Sequence, residues 1–193
     1  MKARETKMKN DTLNVFRDLP KGDNICLSIP EISDMDEFLS SVKDSLEFHY
    51  PWVEAPNDEE KYNKYIKRIN FESHVSFFIK RLEDAKIVGV ININEIVMGV
   101  FQSGYLGFYA FRKFSGQGLM SEGLSLALCF YFEKLKLHRI EANIQPENIK
   151  SIELIKSKHF RREGFSSNYL KINGEWRDHE RFAMTLEDYR ELT

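Results

Sequence analysis

Cysteine is scarce in this 193-residue chain: there are two, Cys26 and Cys129. Two cysteines make no disulfide framework, and they have no Cys/His spacing of the kind that holds zinc. Reduced thiols in a cytoplasmic protein are the expected state, with Cys129 in the core of a helix. Long apolar runs are lacking too. None approaches the roughly 18 residues that span a bilayer, so no membrane segment is expected. The charges at Lys2, Arg4, Glu5 and Lys7 are followed by no apolar stretch, which argues against a secretory leader. Charge of one sign is also lacking. The 28 basic and 30 acidic residues leave a net charge of −2, without the basic surplus of a general nucleic-acid binder. Neither a metal site nor a nicotinamide site is visible.

What the chain has is core material. It is 42% hydrophobic and 30% charged, with 15 Phe and 8 Tyr, the composition of a globular protein. The length fits one domain over residues 13–193, after a loose polar segment at 1–12. Asp23 to Ile29 reads as a strand ended by Pro30. A helix capped by Ser33 or Asp34 runs to about Phe48, with Met35, Phe38, Leu39, Val42 and Leu46 on one side. Tyr50-Pro51-Trp52 breaks the chain, and a second helix spans about Asp58 to Asn70. Strands follow at Val75–Arg81, Lys86–Ile96 and Tyr105–Phe111. A long amphipathic helix runs from Gly118 to about Lys136, then come a strand at His138–Gln145 and a short helix at Ile149–Lys158. The end is a hairpin, Ser167–Ile172 and Glu175–Thr185, joined by Asn173-Gly174, a strong two-residue turn signal. This order predicts an α+β fold with a mixed sheet.

One stretch stands out: Ser115-Gly116-Gln117-Gly118-Leu119-Met120-Ser121-Glu122, between a strand and a helix. The first turn of a helix carries unpaired N–H groups at the positive end of its dipole, so this geometry suits a phosphate or pyrophosphate. The same glycines also serve as ordinary turn and cap residues. The stretch is not the dinucleotide fingerprint, because Ser121 stands at the third glycine, nor a P-loop, because no Gly-Lys-Ser/Thr follows.

The stretch resembles the pyrophosphate loop of the GNAT N-acetyltransferases, Gln/Arg-x-x-Gly-x-Gly/Ala. Ser115 stands at the Gln/Arg position, Gly118 matches and Met120 replaces the last small residue, as in the RimJ/RimL ribosomal-protein branch. Val97-Met98-Gly99-Val100-Phe101-Gln102-Ser103-Gly104, Leu137-His138-Arg139-Ile140-Glu141-Ala142-Asn143, Pro146-Glu147-Asn148-Ile149-Lys150-Ser151 and Ile172-Asn173-Gly174-Glu175-Trp176-Arg177-Asp178-His179 resemble that branch in order and spacing. The likeness covers roughly Gly22 to Asp188.

The resemblance implies a GNAT fold whose sheet splays between the central strand and the next. It also implies acetyl-CoA as cofactor and a primary amine as acceptor. The main chain of Phe108, Tyr109 and Ala110 would pair with the pantetheine arm, and Gly116, Gln117, Gly118, Leu119, Met120 and Ser121 would hold the pyrophosphate, with Lys113 adding charge. Asn148 and Ser151 would contact the arm. The tyrosine that often protonates the leaving thiolate is Ile155 here, which leaves the Ser151 hydroxyl as the alternative, against a plain cap or surface role. For a base, Glu141 and Asn143 share a strand face with Arg139. Glu141 can act through water or pair with Arg139. His49, His138 and His179 are further candidates by residue type. His49, Tyr50, Trp52, Trp176 and His179 are expected to wall the acceptor site, where aromatics serve equally well as packing. His159 replaces the glycine that usually ends the short helix.

An N-terminal amine, with a reference pKa of about 7.7–8.0 against about 10.4 for lysine, needs no strong base near neutral pH. The expected acceptor is therefore a protein N-terminus, by analogy a ribosomal protein. A small amine (antibiotic, polyamine or aminoacyl nucleotide) and a silent acyl-CoA- or RNA-binding module stand as alternatives. A cytoplasmic monomer or homodimer is expected, with association with the ribosome as part of the ribosomal-protein reading.

Overall fold

The computed structural model describes residues 15, 16, 18–69 and 72–192; the expected loose segment 1–12 lies outside these. Seven strands form one sheet in the order β1-β2-β3-β4-β5-β7-β6. Strand β1 is Ile25–Ser28, β2 Val75–Arg81, β3 Ile87–Val97, β4 Ser103–Ala110, β5 Arg139–Ile144, β6 Arg161–Ile172 and β7 Glu175–Thr185. The helices are α1 (Met35–Asp44), α2 (Leu46–His49), α3 (Glu59–Arg68), α4 (Leu119–Cys129), α5 (Ile149–Ser157) and α6 (Leu186–Arg190). Among the described residues no helix is long and apolar enough to cross a membrane.

The first helix differs from the even apolar spacing that predicts it. A 3-10 turn at Ile32–Asp34 leads in, capped by Glu31 with Asp34 reaching back to the Glu31 N–H. The helix then breaks at Ser45, whose Oγ is 3.0 Å from the Arg112 N–H and accepts its hydrogen bond. That bond gives the backbone a reason to leave the helix. Leu46, expected on the apolar face, is turned out and exposed, and the new turn buries His49 instead. α3 starts as expected: Asp58 accepts from the Lys61 N–H at 2.7 Å, and Tyr62 is buried.

The long helix also departs from expectation. It is α-helical to Cys129 and continues as a π-turn over Phe130–Lys134. Phe130, Tyr131 and Phe132 are consecutive and all buried, packed on Phe77 and Tyr189. The wider turn places the Leu135 N–H on Phe130 C=O. Cys129 is only half-buried. Gly123 lets the helix lie flush on β2, where a Cβ would sit 2.5 Å from the Ile79 side chain.

The central feature is the seam between β4 and β5. These strands pair in parallel only from Ser103↔Arg139 to Leu106↔Ala142. Beyond that, β4 stays with β3 (Gly107↔Asn92 to Ala110↔Gly89), and β5 stays with β7 (Asn143↔Arg181, Ile144↔Glu180). Each strand keeps its outer neighbour, so the sheet opens into a V, as the resemblance implies.

At the far edge, β6 begins at Arg161, six residues before the expected Ser167. Its exposed, polar run carries no apolar alternation, so the sequence does not announce it. A bulge holds Asn168 at φ 48°, with its N–H donated to Asp178. The Asn173-Gly174 turn has φ of 51° and 83°, the doubly left-handed form that its residues favour.

Candidate active site

The open V and the elements over it enclose a cleft of about 890 Å³. One end is built from β4 and the loop after it. The Phe111 N–H bonds Val88 C=O of β3. By the two-residue alternation of a strand, the main-chain groups of Phe108 and Ala110 therefore point into the opening and those of Tyr109 toward β3. This corrects the expectation for Tyr109, whose main chain serves the sheet.

The loop fits an anion. Gly116 and Gly118 have φ of 77° and 78°, which glycine adopts without strain. A Cβ at either would meet nothing within 4 Å, so it is the backbone angle, rather than room for a close approach, that calls for glycine. Gly118 caps α4 with no side chain, and the first helical bond is Glu122 N–H to Gly118 C=O. The N–H groups of Leu119, Met120 and Ser121 thus lead the helix without a partner inside it. The Leu119 side chain is buried in the core, Met120 sits over Gly89, and Gln117 turns back to donate to Lys113 C=O at 3.0 Å. The Lys113 ammonium lies 5.6 Å from the Phe114 ring centroid.

Glu122 fastens this end. Its carboxylate accepts from the Asn24 N–H at 2.9 Å and the Asn24 amide at 3.0 Å. Burial pushes that carboxyl up, but the surrounding N–H donors outweigh it and hold it below the usual range. Gly22 leaves room for it, since a Cβ there would lie 2.1 Å from Glu122 Oε1 and would displace the carboxylate. Nothing in the sequence pairs these residues.

On α5, Asn148 is the N-cap, its Oδ1 accepting from the Ser151 N–H at 3.3 Å. Both residues line the cleft. Ile155 is fully buried. His159 ends the helix at φ 62°, with the Phe160 N–H closing back on Ile155 C=O. The histidine thus keeps the glycine's left-handed turn.

The other end is assembled from distant segments. His49 Nε2 donates to Ala110 C=O at 2.9 Å, and its ring meets Tyr109 edge-on at 5.2 Å. Burial lowers its pKa, with the bond to Ala110 opposing, and its Nδ1 is buried without a partner. Trp52 also lines the cleft. Gln145, which the sequence reading misses, donates to the carbonyls of Pro51 and Trp52 at 3.3 and 3.4 Å, and Asn173 reaches Pro51 at 3.2 Å. These bonds tie the segment after α2 to β5 and the terminal hairpin. His179 Nδ1 lies 2.9 Å from Arg177 C=O. Burial lowers the His179 pKa, against smaller raising effects of that bond and Asp178. Asn143 Oδ1 is buried with no partner.

Four expected site residues lie elsewhere. Glu141 does not line the cleft. It accepts from Arg139 Nε at 2.8 Å, and Arg139 also grips Glu163 at 2.5 Å, so Glu141 sits in an ion-pair network. Tyr50 is 64% exposed and walls a separate recess of about 490 Å³ with Leu46 and Asn173. Trp176 is 60% exposed on the outer hairpin. His138 pairs with Glu187 at 3.1 Å at the surface. No group of three or more His, Cys, Asp or Glu able to hold a metal occurs among the described residues.

The family model of the acetyltransferase (GNAT) domain matches residues 24–161. A probable N-acetyltransferase of Bacillus subtilis, YjcK, is 27% identical over 176 residues, 87% of this chain and 97% of its own. The ribosomal protein uS5-alanine N-acetyltransferase of Escherichia coli is 38% identical over 107 residues, 55% of each chain. A spermidine N(1)-acetyltransferase of Vibrio cholerae is 27% identical over 143 residues, 72% of this chain and 80% of its own. The structure of Mycobacterium smegmatis RimJ in complex with CoA-disulfide superposes with a TM-score of 0.79 at 24% identity, covering 85% of this chain and 83% of that one, which supports the fold. With a matching domain over most of its length, a splayed sheet and a glycine loop leading a helix into the cleft, the chain belongs to the GNAT acetyltransferase family and is an acetyl-CoA-dependent N-acetyltransferase.

Proposed function

We propose that the acceptor is the α-amine of a protein N-terminus, of the ribosomal-protein type, reached in the cytoplasm. The charge of the cleft carries this reading. Its lining holds Arg68, Lys150 and Lys171 against Glu54 and Glu153. A polyamine brings several ammonium groups and calls for clustered carboxylates, which this lining lacks. An N-terminal peptide brings one amine and a main chain that strand edges can pair with. The relative that acts on uS5 points the same way.

The residues divide the work. The N–H groups from Gly116 to Ser121 meet the pyrophosphate, where backbone donors and the helix dipole both favour negative charge. The edge at Phe108 and the Ala110 N–H, the Ala110 carbonyl being engaged by His49, offers sheet-like bonds to the pantetheine amides. Acetyl-CoA, when bound, supplies an acetyl thioester open to attack by a neutral amine. A main-chain N–H on that edge is the donor for the carbonyl oxygen, and the Ser151 hydroxyl is the donor toward the sulfur. Asn148, as cap of α5, fixes Ser151. His49 and Trp52 wall the acceptor end.

Coenzyme A release tests the reading, measured with an Ala- or Ser-initiated peptide, the same peptide Nα-blocked with a free lysine, and spermidine. The free N-terminus should react at least tenfold faster in kcat/KM than either competitor. Faster turnover of spermidine, or of the blocked peptide, would overturn it.

A further inference from the structure

We propose that Asn143 and His179 together seat the acceptor amine, and that His179 Nε2 takes its proton. The proposal rests on the reading of this cleft as the site of amine acetylation and names the atoms that receive the amine.

The placement comes from the sheet. Asn143 is the first residue of β5 beyond the last pair it makes with β4, Leu106↔Ala142. It lies opposite Arg181 of β7, and His179 is two residues along that strand on the same face. Such diagonal neighbours lie about 7–8 Å apart, within reach of one small group bridging them. Both residues line the cleft at the fork of the V, across from the open edge of β4.

The hydrogen bonding fixes what they offer. Arg177 C=O can only accept, so His179 Nδ1, 2.9 Å away, carries the hydrogen. In the neutral ring the lone pair is then on Nε2, and among the described residues the hydrogen bond found for this side chain is that of Nδ1. Tyr169 of β6 holds the ring edge-on at 5.9 Å, and the whole side chain is 3% exposed. Asn143 Oδ1 is a second acceptor, buried and unpartnered. Two acceptors at one place, Asn143 Oδ1 and His179 Nε2, match a group with two or three N–H bonds, and the Asn143 NH2 is the one donor that the pair adds beside them.

Burial favours the neutral ring, and the nearby carboxylate, Asp178, opposes this more weakly. Asp178 accepts from the Asn168 N–H. Arg181 lays its guanidinium against Gly164 of β6, and Lys171 of β6 lines the same cleft. From β5 and the residue after it come the amides Asn143 and Gln145. Burial lowers the proton affinity of the ring, so it stands ready as a base at neutral pH. A weak base suffices, because an amine nitrogen becomes strongly acidic once it has added to a carbonyl. The balance is closed: the N–C bond forms and the C–S bond breaks. The nitrogen's proton passes to Nε2 and then to water, while the sulfur takes a proton from Ser151 or water.

The test uses the full chain and whichever amine of the panel reacts best, so that a wrong acceptor class does not obscure the result. His179→Gln should cut kcat by 10²–10⁴, the usual share of general base catalysis, with KM changed less than threefold. It should also remove the acid limb of the kcat profile, which reports groups of the bound complex and which the titration of the free amine does not enter. Long-range ¹H–¹⁵N NMR of the free protein should show the Nδ1–H tautomer at His179. Calorimetry with coenzyme A present should show Asn143→Leu weakening a peptide with a free N-terminus about tenfold, and its des-amino analogue not at all. An Nε2–H tautomer, a retained acid limb, or equal weakening of both peptides would overturn the proposal.

Discussion

The two ends of the cleft are built in opposite ways. The end that we assign to the cofactor comes from one continuous run, β4 through the first turn of α4, and what it offers is main-chain N–H and C=O. The acceptor end draws on α2, the Trp52 segment, β5 and β7, and its working groups are side chains. A backbone site needs only the right local angles, and glycine at 116 and 118 supplies them. A side-chain site needs distant strands in register. The first kind tolerates wide change around it; the second can be rebuilt one residue at a time, which fits a family whose members share a cofactor and differ in acceptor.

The largest expected effect lies at the cofactor end. Gly118→Asp forces a side chain into φ 78° and sets a negative charge at the helix start. Acetyl-CoA affinity should fall at least a hundredfold by calorimetry, while Glu122 and the Ile79 contact keep α4 in place and thermal unfolding shifts little. If binding survived, the claim that this end works through its backbone would break.

A middle-sized effect sharpens the contrast at the acceptor end. His49 and His179 are buried with lowered pKa values. A histidine whose pKa falls on folding binds protons better when unfolded. Stability is therefore full above the ordinary value of about 6.5 and is lost as pH falls below it. Urea denaturation at pH 7.5 and 5.5 should show the loss, and His49→Gln should reduce its size. A pH dependence unchanged in that variant would mean that His49 is not held neutral.

The smallest effect is at His159. Its φ of 62° costs a non-glycine residue roughly 1 kcal/mol, part of which glycine's freedom in the unfolded chain takes back. His159→Gly should raise stability by about 0.5 kcal/mol, read as a small rise in melting temperature, with kcat/KM for the best acceptor unchanged.

Much of the fold was legible because its signals are local. Alternation and turn residues mark β2 and β7 to the residue, and Asn173-Gly174 marks the hairpin. The breaks were not. Nothing in the spacing of Phe38, Val42 and Leu46 reveals that Ser45 meets the Arg112 N–H, 67 residues further along the chain. Nothing near Phe130 reveals that three successive aromatics must all turn inward. Among site residues, the glycine loop follows from position in the chain, whereas the capping role of Asn148 came from the structure. The pairing of Glu141 with Arg139 was one of two readings open, and the sheet edge beyond it supplied Glu163.

By itself the sequence determined the element order and the glycine loop, because backbone angles and periodicity are properties of neighbours in the chain; the class of cofactor came from the resemblance of that loop and its flanking segments to the GNAT family. Only the tertiary structure decided how far β4 and β5 stay paired, that His49 reaches Ala110, and that Asn143 and His179 share one face at the fork. Those facts depend on register between strands many residues apart, where a shift of one residue would turn each side chain to the other face of the sheet.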